Sequence, residues 1–322
     1  MLIEILGTES LGVRGLSCVV KTNDRKIVID PGVALGYRRL GQLPHPHQVA
    51  VGAKIRKDII EALKDATDVV ISHYHGDHIP LADANPYQLS LNDIPPLEGV
   101  RLWSKGTHDL SNLSVQRWIE LSRHLGRTLP DSEEMADDTM CFSKSVPHGS
   151  RKSGLRTVMM TRIQESGKGQ VFVHASDIQL LNEEAISIIL SMQPTVVLAS
   201  GPPIYLPHLK EKEREDAWQN AKRLAKNVDT LILDHHLLRS RQGMYWLKEL
   251  SKLTRNNVLC AAQFMKKEPR LLEARRKELY AKMPVPPGWH EAYAEAYARG
   301  DDGKIEKDLQ KYAYFETEGK ES

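Results

Sequence analysis

The sequence has few of the features that mark secreted, membrane-bound and nucleic-acid-coating proteins. It has three cysteines, Cys18, Cys141 and Cys260, which lie far apart and form no CxxC pair, so neither a disulfide framework nor a cysteine-based metal site is indicated. No apolar run approaches the ~20 residues of a membrane span. The 44 Lys and Arg residues nearly balance 42 Asp and Glu residues, which leaves a formal net charge of +2. These absences favour a cytoplasmic protein with no membrane attachment and no broadly basic surface.

The remaining composition is that of an ordinary globular chain. Its 322 residues are 41% hydrophobic and 27% charged, which is enough to bury a large core. Residues 2–29 predict three antiparallel strands, and the apolar spacing over 51–66 predicts an amphipathic helix. After an irregular stretch at about 80–135, strands return, and helices then alternate with buried strands between residues 183 and 261. This order predicts a layered α/β fold.

A cluster of metal-binding residue types follows the predicted buried strand Asp68–Ile71. The segment Ser72-His73-Tyr74-His75-Gly76-Asp77-His78 holds three imidazoles and a carboxylate within six positions. Strand side chains alternate between faces, so His73 and His75 lie on one side, and Gly76 lets the chain turn back toward them. Neutral imidazole and carboxylate are ligands that suit zinc, iron(II) and manganese(II). The cluster predicts a metal site.

Further donor residues stand at or just after other predicted strand ends. They are His148, Asp177 and the adjacent pair His235 and His236. Asp30 also ends a strand, but it precedes Pro31-Gly32 and is read either as part of a turn or as a site residue. Their shared position relative to the strands makes them candidate partners of the first cluster.

These motifs resemble those of the metallo-β-lactamase superfamily, whose hallmark is the His-x-His-x-Asp-His loop, here His73, His75, Asp77 and His78. The resemblance covers about residues 1–262, points to an uncharacterised archaeal branch, and implies a four-layer αββα sandwich. By similarity, His73, His75 and His148 would hold one divalent ion. Asp77, His78 and the last histidine would hold a second ion, and Asp177 would bridge both.

Spacing does not decide which of the two adjacent histidines is the ligand. We favour His235, since it follows its strand as His73 does, and expect His236 to lie in an outer shell or to contact substrate. Asp30 is expected to orient a ligand from the outer shell. Tyr205, in the segment Ser200–Tyr205 after a buried strand, is a candidate substrate contact.

Such a centre predicts hydrolysis. Two divalent ions about 3.5–4 Å apart share a hydroxide at neutral pH and polarise an ester or phosphodiester. We expect two zinc ions, with manganese or iron as alternatives, and assign Asp77 a further catalytic role as general base or in orienting the nucleophile. His75 argues against the flavodiiron branch, which has Glu there. The expected substrate is a small molecule or a phosphodiester, including nucleic acid. The alternative is a non-catalytic, metal-stabilised protein that binds nucleic acid or a protein partner.

The domain prediction is a single domain over residues 1–322. It contains the irregular insert at about 80–135 and ends in a helical extension at about 265–322. His45 and His47 are expected to be surface histidines, with pocket contacts as the alternative. The basic residues of the extension, Arg270, Arg275, Arg276 and Lys277, are expected on a solvated helix face.

Overall fold

The computed structural model describes residues 1–39, 41–150, 156–165, 167 and 169–313. Two sheets and a set of surrounding helices make up the fold. The strands are β1 (Leu2–Gly7), β2 (Ser17–Lys21), β3 (Lys26–Ile29), β4 (Asp68–Ile71), β5 (Arg101–Ser104), β6 (Met140–Phe142), β7 (Val146–Pro147), β8 (Thr157–Val158), β9 (Thr161–Gln164), β10 (Val171–His174), β11 (Val196–Ala199), β12 (Thr230–Leu233) and β13 (Asn257–Leu259). The helices are α1 (Pro46–Lys64), α2 (Asn112–His124), α3 (Glu183–Ser191), α4 (Glu211–Asn227), α5 (Arg241–Ser251), α6 (Ala261–Phe264), α7 (Arg276–Lys282), α8 (Trp289–Arg299) and α9 (Asp302–Ala313).

The two large sheets face each other. The first has the order β1-β2-β3-β4-β5 and the second β13-β12-β11-β10-β9-β6, while β7 and β8 form a separate pair. Trp103 of β5 contacts Phe142 of β6 with ring centroids 5.2 Å apart, and His174 Nε2 lies 3.0 Å from the carbonyl oxygen of Leu16. Helix α1 packs on the first sheet, and α4 and α5 pack on the second. The predicted four-layer αββα sandwich is therefore confirmed.

Parallel strands bring the candidate ligands to one edge of the sandwich. In the first sheet β3, β4 and β5 run parallel, and in the second β10, β11, β12 and β13 do so. The chain leaves β3 at Asp30, β4 at Ser72 and β12 at Asp234. Because the carboxyl ends of parallel strands meet at one edge, residues distant in sequence become neighbours there.

Helix α1 begins five residues before the predicted start, at Pro46, because His45 caps it. His45 Nδ1 accepts a hydrogen bond from the backbone N–H of His47 at 3.2 Å. Both histidines are buried, so the prediction that they lie on the surface is wrong. The carboxyl-terminal segment covers them: His45 Nε2 lies 2.9 Å from the carbonyl oxygen of Met283, and His47 Nδ1 lies 2.7 Å from that of Tyr312.

The stretch at 80–135 contains the expected helix, α2, and one element that the sequence did not predict. Strand β5 pairs in parallel with β4 and closes one side of the first sheet. Its four residues, Arg-Leu-Trp-Ser, include only two apolar ones and form no continuous buried run, so the sequence pattern did not indicate a strand.

The described part of the extension forms three helices, α7 to α9, and α7 begins at Arg276. Arg276 is fully buried; it donates to Gln48 Oε1 at 2.9 Å and to the carbonyl oxygen of Gln42 at 3.0 Å. The prediction of a solvated face is therefore wrong for Arg276, because the segment packs against the start of α1. Residues 314–322 of the predicted extension lie outside the described residues. In the part of the chain that is described, no helix is long and apolar enough to cross a membrane.

Candidate metal centre

Asp30 anchors both ends of the ligand loop, residues 72–78, through Ser72 and His78. Its Oδ1 accepts the backbone N–H of Ser72 at 2.8 Å, and its Oδ2 accepts the Ser72 hydroxyl at 2.6 Å and lies 2.9 Å from His78 Nδ1. A carboxylate can only accept, so His78 donates through Nδ1, and Nε2 carries the lone pair when the ring is neutral. Asp30 thus supports the loop that carries the candidate ligands, and its place in an outer shell stays a prediction.

The same hydroxyl fixes the tautomer of His73. Ser72 Oγ has one proton, which it donates to Asp30, so it accepts a hydrogen bond from His73 Nδ1 at 3.0 Å. The lone pair of His73 is then on Nε2, which lies 2.9 Å from Nδ1 of His75. Ser176 Oγ, 2.6 Å from Ser72 Oγ, completes this support from the second sheet.

Asp177 lies between two sets of imidazoles. Its Oδ2 is 3.5 Å from His73 Nε2, 3.6 Å from His75 Nδ1 and 3.2 Å from His236 Nε2. Its Oδ1 is 3.2 Å from His78 Nε2 and 3.5 Å from His235 Nε2, which in turn is 3.3 Å from Asp77 Oδ2. One buried carboxylate therefore presents each oxygen to a separate group of donors.

His148 stands beside the first group. Its ring centroid is 5.6 Å from that of His75, and its Nδ1 is 3.2 Å from the side-chain amide of Gln179. Among the described residues there are four groups of three donors in which the ligand atoms lie within 4.8 Å of one another, and His148 belongs to none of them. The structure brings His148 near the centre but less closely than the other predicted ligands.

His235 is held in a way that the sequence did not reveal. Two N–H donors face its ring: the backbone N–H of Gly15 lies 3.2 Å from Nδ1, and Nη2 of Arg239 lies 2.8 Å from Nε2. A neutral imidazole has one lone pair, so the ring accepts from only one of them, and Arg239 competes with an ion for Nε2. The same Nη2 is 3.4 Å from Asp77 Oδ2, while Nε of Arg239 donates to Glu9 at 3.1 Å. The Arg239 guanidinium thus contacts Asp77 and His235, two donors on the Oδ1 side of Asp177. This positive charge would weaken cation binding on that side relative to the Oδ2 side.

Asp234 fixes the turn that carries both histidines. It accepts hydrogen bonds from the Thr8 hydroxyl at 2.8 Å and from the backbone N–H groups of Ser10, His235 and Ala261, each at 2.9 Å. His235 has φ = 20°, outside the regions that non-glycine residues favour. The four hydrogen bonds to Asp234 maintain this backbone conformation.

Two glycines let loops approach the cluster. A Cβ on Gly32 would lie 2.1 Å from the backbone nitrogen of Ile79 and 2.2 Å from the carbonyl carbon of His78. One on Gly15 would lie 2.5 Å from the carbonyl oxygen of Asp77. Neither position has room for a side chain.

Burial favours the neutral form of His73 and His148. Burial, aided by His78 and His75, lowers the pKa of His73 to about 4, and burial lowers the pKa of His148 to about 3. Burial would raise the pKa of Asp30, but the hydrogen bond and charge of His78 outweigh it and hold this pKa at about 2. Neutral imidazole is the form that binds a metal ion.

The arrangement fits a divalent cation. His78 Nε2, His148 Nε2 and Asp177 Oδ1 are buried and have no hydrogen-bond partner within the described residues. Unsatisfied buried lone pairs are costly unless something binds them. An ion among these nitrogen and carboxylate donors would satisfy them, and the donor set suits zinc, iron or manganese.

A small cavity of about 200 Å³ opens over His73, His75 and His148. Tyr205 does not line it; its ring instead lies under the guanidinium of Arg39, 4.6 Å from the ring centroid. The residues that sequence reasoning missed are Glu9, Arg239, Ser72, Ser176 and Asp234. Ser72 and Asp234 carried a signal in the sequence, because each directly follows a buried strand.

Fold and site together define a member of the metallo-β-lactamase superfamily. The model of the Metallo-beta-lactamase superfamily matches residues 12–84, which include Asp30 and the cluster from His73 to His78. Within this superfamily, the chain belongs to the UPF0282 family. The UPF0282 protein of Methanosarcina mazei is 53% identical over 302 residues, covering 94% of this chain and 99% of that protein. The relative from Thermococcus sibiricus is 33% identical over 314 residues, covering 88% and 98%.

Two solved structures are more distantly similar. An isothiocyanate hydrolase from Delia radicum gut bacteria has a TM-score of 0.47 and 14% identity, covering 84% of this chain and 94% of that chain. Yeast PDE1, without ligand, has a TM-score of 0.44 and 12% identity, covering 80% and 95%. These scores are low, so the assignment depends on the chain's own sheets, the superfamily match and the UPF0282 relatives.

Proposed function

We propose that this protein is a hydrolase that uses two divalent metal ions to cleave an ester or phosphodiester bond. The observation that carries the proposal is Asp177, a buried carboxylate whose two oxygens face two different groups of imidazoles. The first ion would be held by His73, His75 and Asp177 with His148. The second would be held by Asp77, His78, His235 and Asp177.

When bound, two such ions activate a water at neutral pH and polarise the bond to be cleaved. The chain's own residues prepare the site for this chemistry. Ser72 and Asp30 direct the lone pairs of His73 and His78 toward Asp177. Asp77, anchored by Arg239, would orient the attacking water or accept its proton. His236, whose Nε2 lies 3.2 Å from Asp177 and whose ring is 13% exposed, would contact substrate or support the first ion.

The alternative is a binding protein in which the metal is purely structural. Structural zinc sites are closed by four protein ligands, whereas here a cavity opens directly over His73, His75 and His148. This opening favours an enzyme. Zinc as the ion and the cytoplasm as the compartment stay predictions from the sequence.

The test is hydrolysis by protein loaded with Zn²⁺, Mn²⁺ or Fe²⁺, using bis-p-nitrophenyl phosphate, structured RNA and lactones as substrates. We expect His75→Ala to reduce turnover to background. The control is His124→Ala, since His124 is exposed on α2 away from the cluster. The proposal fails if no loaded form turns over any ester, or if the activity does not depend on His75. Metal counting separately decides between one ion and two.

A further inference from the structure

The charged side chains that line the cavity over His73, His75 and His148 are both arginines. Its floor is formed by His73, His75 and His148, and the segment leading into α2 forms one wall. The remaining lining residues are Tyr74, Leu110, Ser111, Leu113, Ser114, Arg117, Arg156 and Thr157. Among the described residues this lining includes two arginines and no carboxylate. Asp177 lies behind the histidine floor, 3.5 Å from His73 Nε2, so the negative charge is at the metal ligands and the two guanidiniums favour an anion on the open side.

Arg117 is the distinctive member of this lining. Its Nη1 donates to the carbonyl oxygen of Tyr74 at 3.0 Å, while its Nε is buried and has no hydrogen-bond partner among the residues that the structure describes. Within the described residues it forms no ion pair, in contrast to Arg14, Arg25 and Arg239, each of which pairs with a carboxylate. A partly buried guanidinium without a counter-ion is costly. A bound oxyanion would supply the missing partner.

The contact with Tyr74 also sets where this partner would lie. Tyr74 stands between His73 and His75 in the chain, so the guanidinium is anchored beside two candidate metal ligands. A fixed guanidinium presents a planar fork that matches the two oxygens of a carboxylate or phosphate. The first turn of α2, which follows its cap Ser111, adds a favourable dipole on the same side.

The geometry points to Arg117 as the binding residue for an oxyanion, a phosphate or carboxylate group, on the substrate of the metal centre. This inference rests on the proposed hydrolase function. The cavity of about 200 Å³ is smaller than the ~300–1,000 Å³ typical for drug-sized ligands. Only the charged group and a short adjoining part of the substrate would therefore enter it. A small anionic ester fits better than a neutral lactone.

The experiment measures anion binding and turnover separately. Inorganic phosphate and acetate are titrated calorimetrically into the metal-loaded protein and its Arg117→Gln variant. Glutamine keeps a donor for the Tyr74 carbonyl but removes the charge. Arg123→Gln is the matched control, because Arg123 lies on the same helix and is exposed. Metal content is measured for every variant, which detects damage to the ligand loop.

We expect Arg117→Gln to weaken binding of at least one anion by about 10–100-fold, as for the loss of a charge-assisted hydrogen bond. Arg123→Gln should bind as the original protein does. In turnover, Arg117→Gln should raise KM for p-nitrophenyl phosphate or for a short RNA with a 5′-phosphate, and leave p-nitrophenyl acetate unaffected. The first two substrates distinguish a small ester from a nucleic acid as the source of the phosphate.

Equal anion binding by the original protein and Arg117→Gln, at equal metal content, would overturn the inference. So would the absence of anion binding to the loaded protein, even if it hydrolyses neutral esters. Conversely, binding that depends on Arg117 in a protein that hydrolyses nothing would support the anion site and refute the hydrolase proposal.

Discussion

The Gly32→Ala substitution tests the placement of His78. A Cβ at this position would lie 2.1 Å from the nitrogen of Ile79, where ordinary contact begins at 3.4 Å, so the two loops must separate by up to 1.3 Å. Metal sites tolerate changes of only about 0.2 Å in ligand distances. The φ of Gly32 is not positive, so the effect is steric and not conformational.

We expect this substitution to cost about 1–3 kcal/mol of stability, as overpacking usually does. In a chain of this size that lowers Tm by a few degrees. It should also remove the second metal ion, because His78 is displaced. The measurements are thermal unfolding and metal content after gel filtration. Gly169→Ala is the control, since no heavy atom lies within 4 Å of its added Cβ. Unchanged Tm and metal content in Gly32→Ala would refute the packing described for these loops.

Three further predictions concern charged residues: two lie at the candidate centre, and Asp68 lies at the start of β4, away from the centre. Asp30→Asn should weaken metal binding by about 10–100-fold in chelator competition, because His78 loses the carboxylate that accepts from its Nδ1. The control Asp24→Asn, at an exposed position, should keep the original metal affinity. An equal loss of affinity in both variants would contradict the role of Asp30. The double variant Glu9→Gln with Arg239→Met should bind the second ion about tenfold more tightly in a zinc titration, because the positive charge beside Asp77 is removed. An unchanged titration would contradict this effect of Arg239. Asp68→Asn should cost about 3 kcal/mol in urea unfolding near neutral pH, since it removes a carboxylate from buried Arg25. Burial opposes ionisation of Asp68, but Arg25 and its other donors outweigh it and lower its pKa. Its contribution is therefore present above the unfolded pKa of about 3.9 and is lost as the pH falls through the folded pKa; a stability gap that does not narrow in acid would count against this pairing.

Local patterns revealed half of the centre. The segment from His73 to His78 carries four candidate ligands within six positions. It could be recognised as a metal-binding motif from these neighbouring residues alone. Asp177 and His235 could be proposed as further ligands because the carboxyl ends of parallel strands lie at one edge of a sheet. Applying this rule requires no knowledge of how the side chains pack. Their roles as ligands stay predictions until metal is measured.

The parts that could not be predicted depend on contacts between distant segments. Arg239 and Glu9 are 230 positions apart, and nothing near either residue indicates that they pair beside the second group. The burial of His45 and Arg276 likewise follows from how the carboxyl-terminal helices lie on α1. A sequence pattern predicts that charged and imidazole side chains are exposed, because they are buried only when a polar partner is present. Here that partner lies far away in the sequence.

The ion pair between Arg14 and Glu273 has a consequence for synthesis of the chain. Arg14 donates through Nη2 to Glu273 at 2.6 Å, and Arg14 is one residue from Gly15, which holds His235. The loop that supports the last histidine is thus completed by a residue translated 259 positions later. A nascent chain that has exposed its first strands still lacks this partner, so we expect the candidate metal centre to form only after residue 273 has left the ribosome.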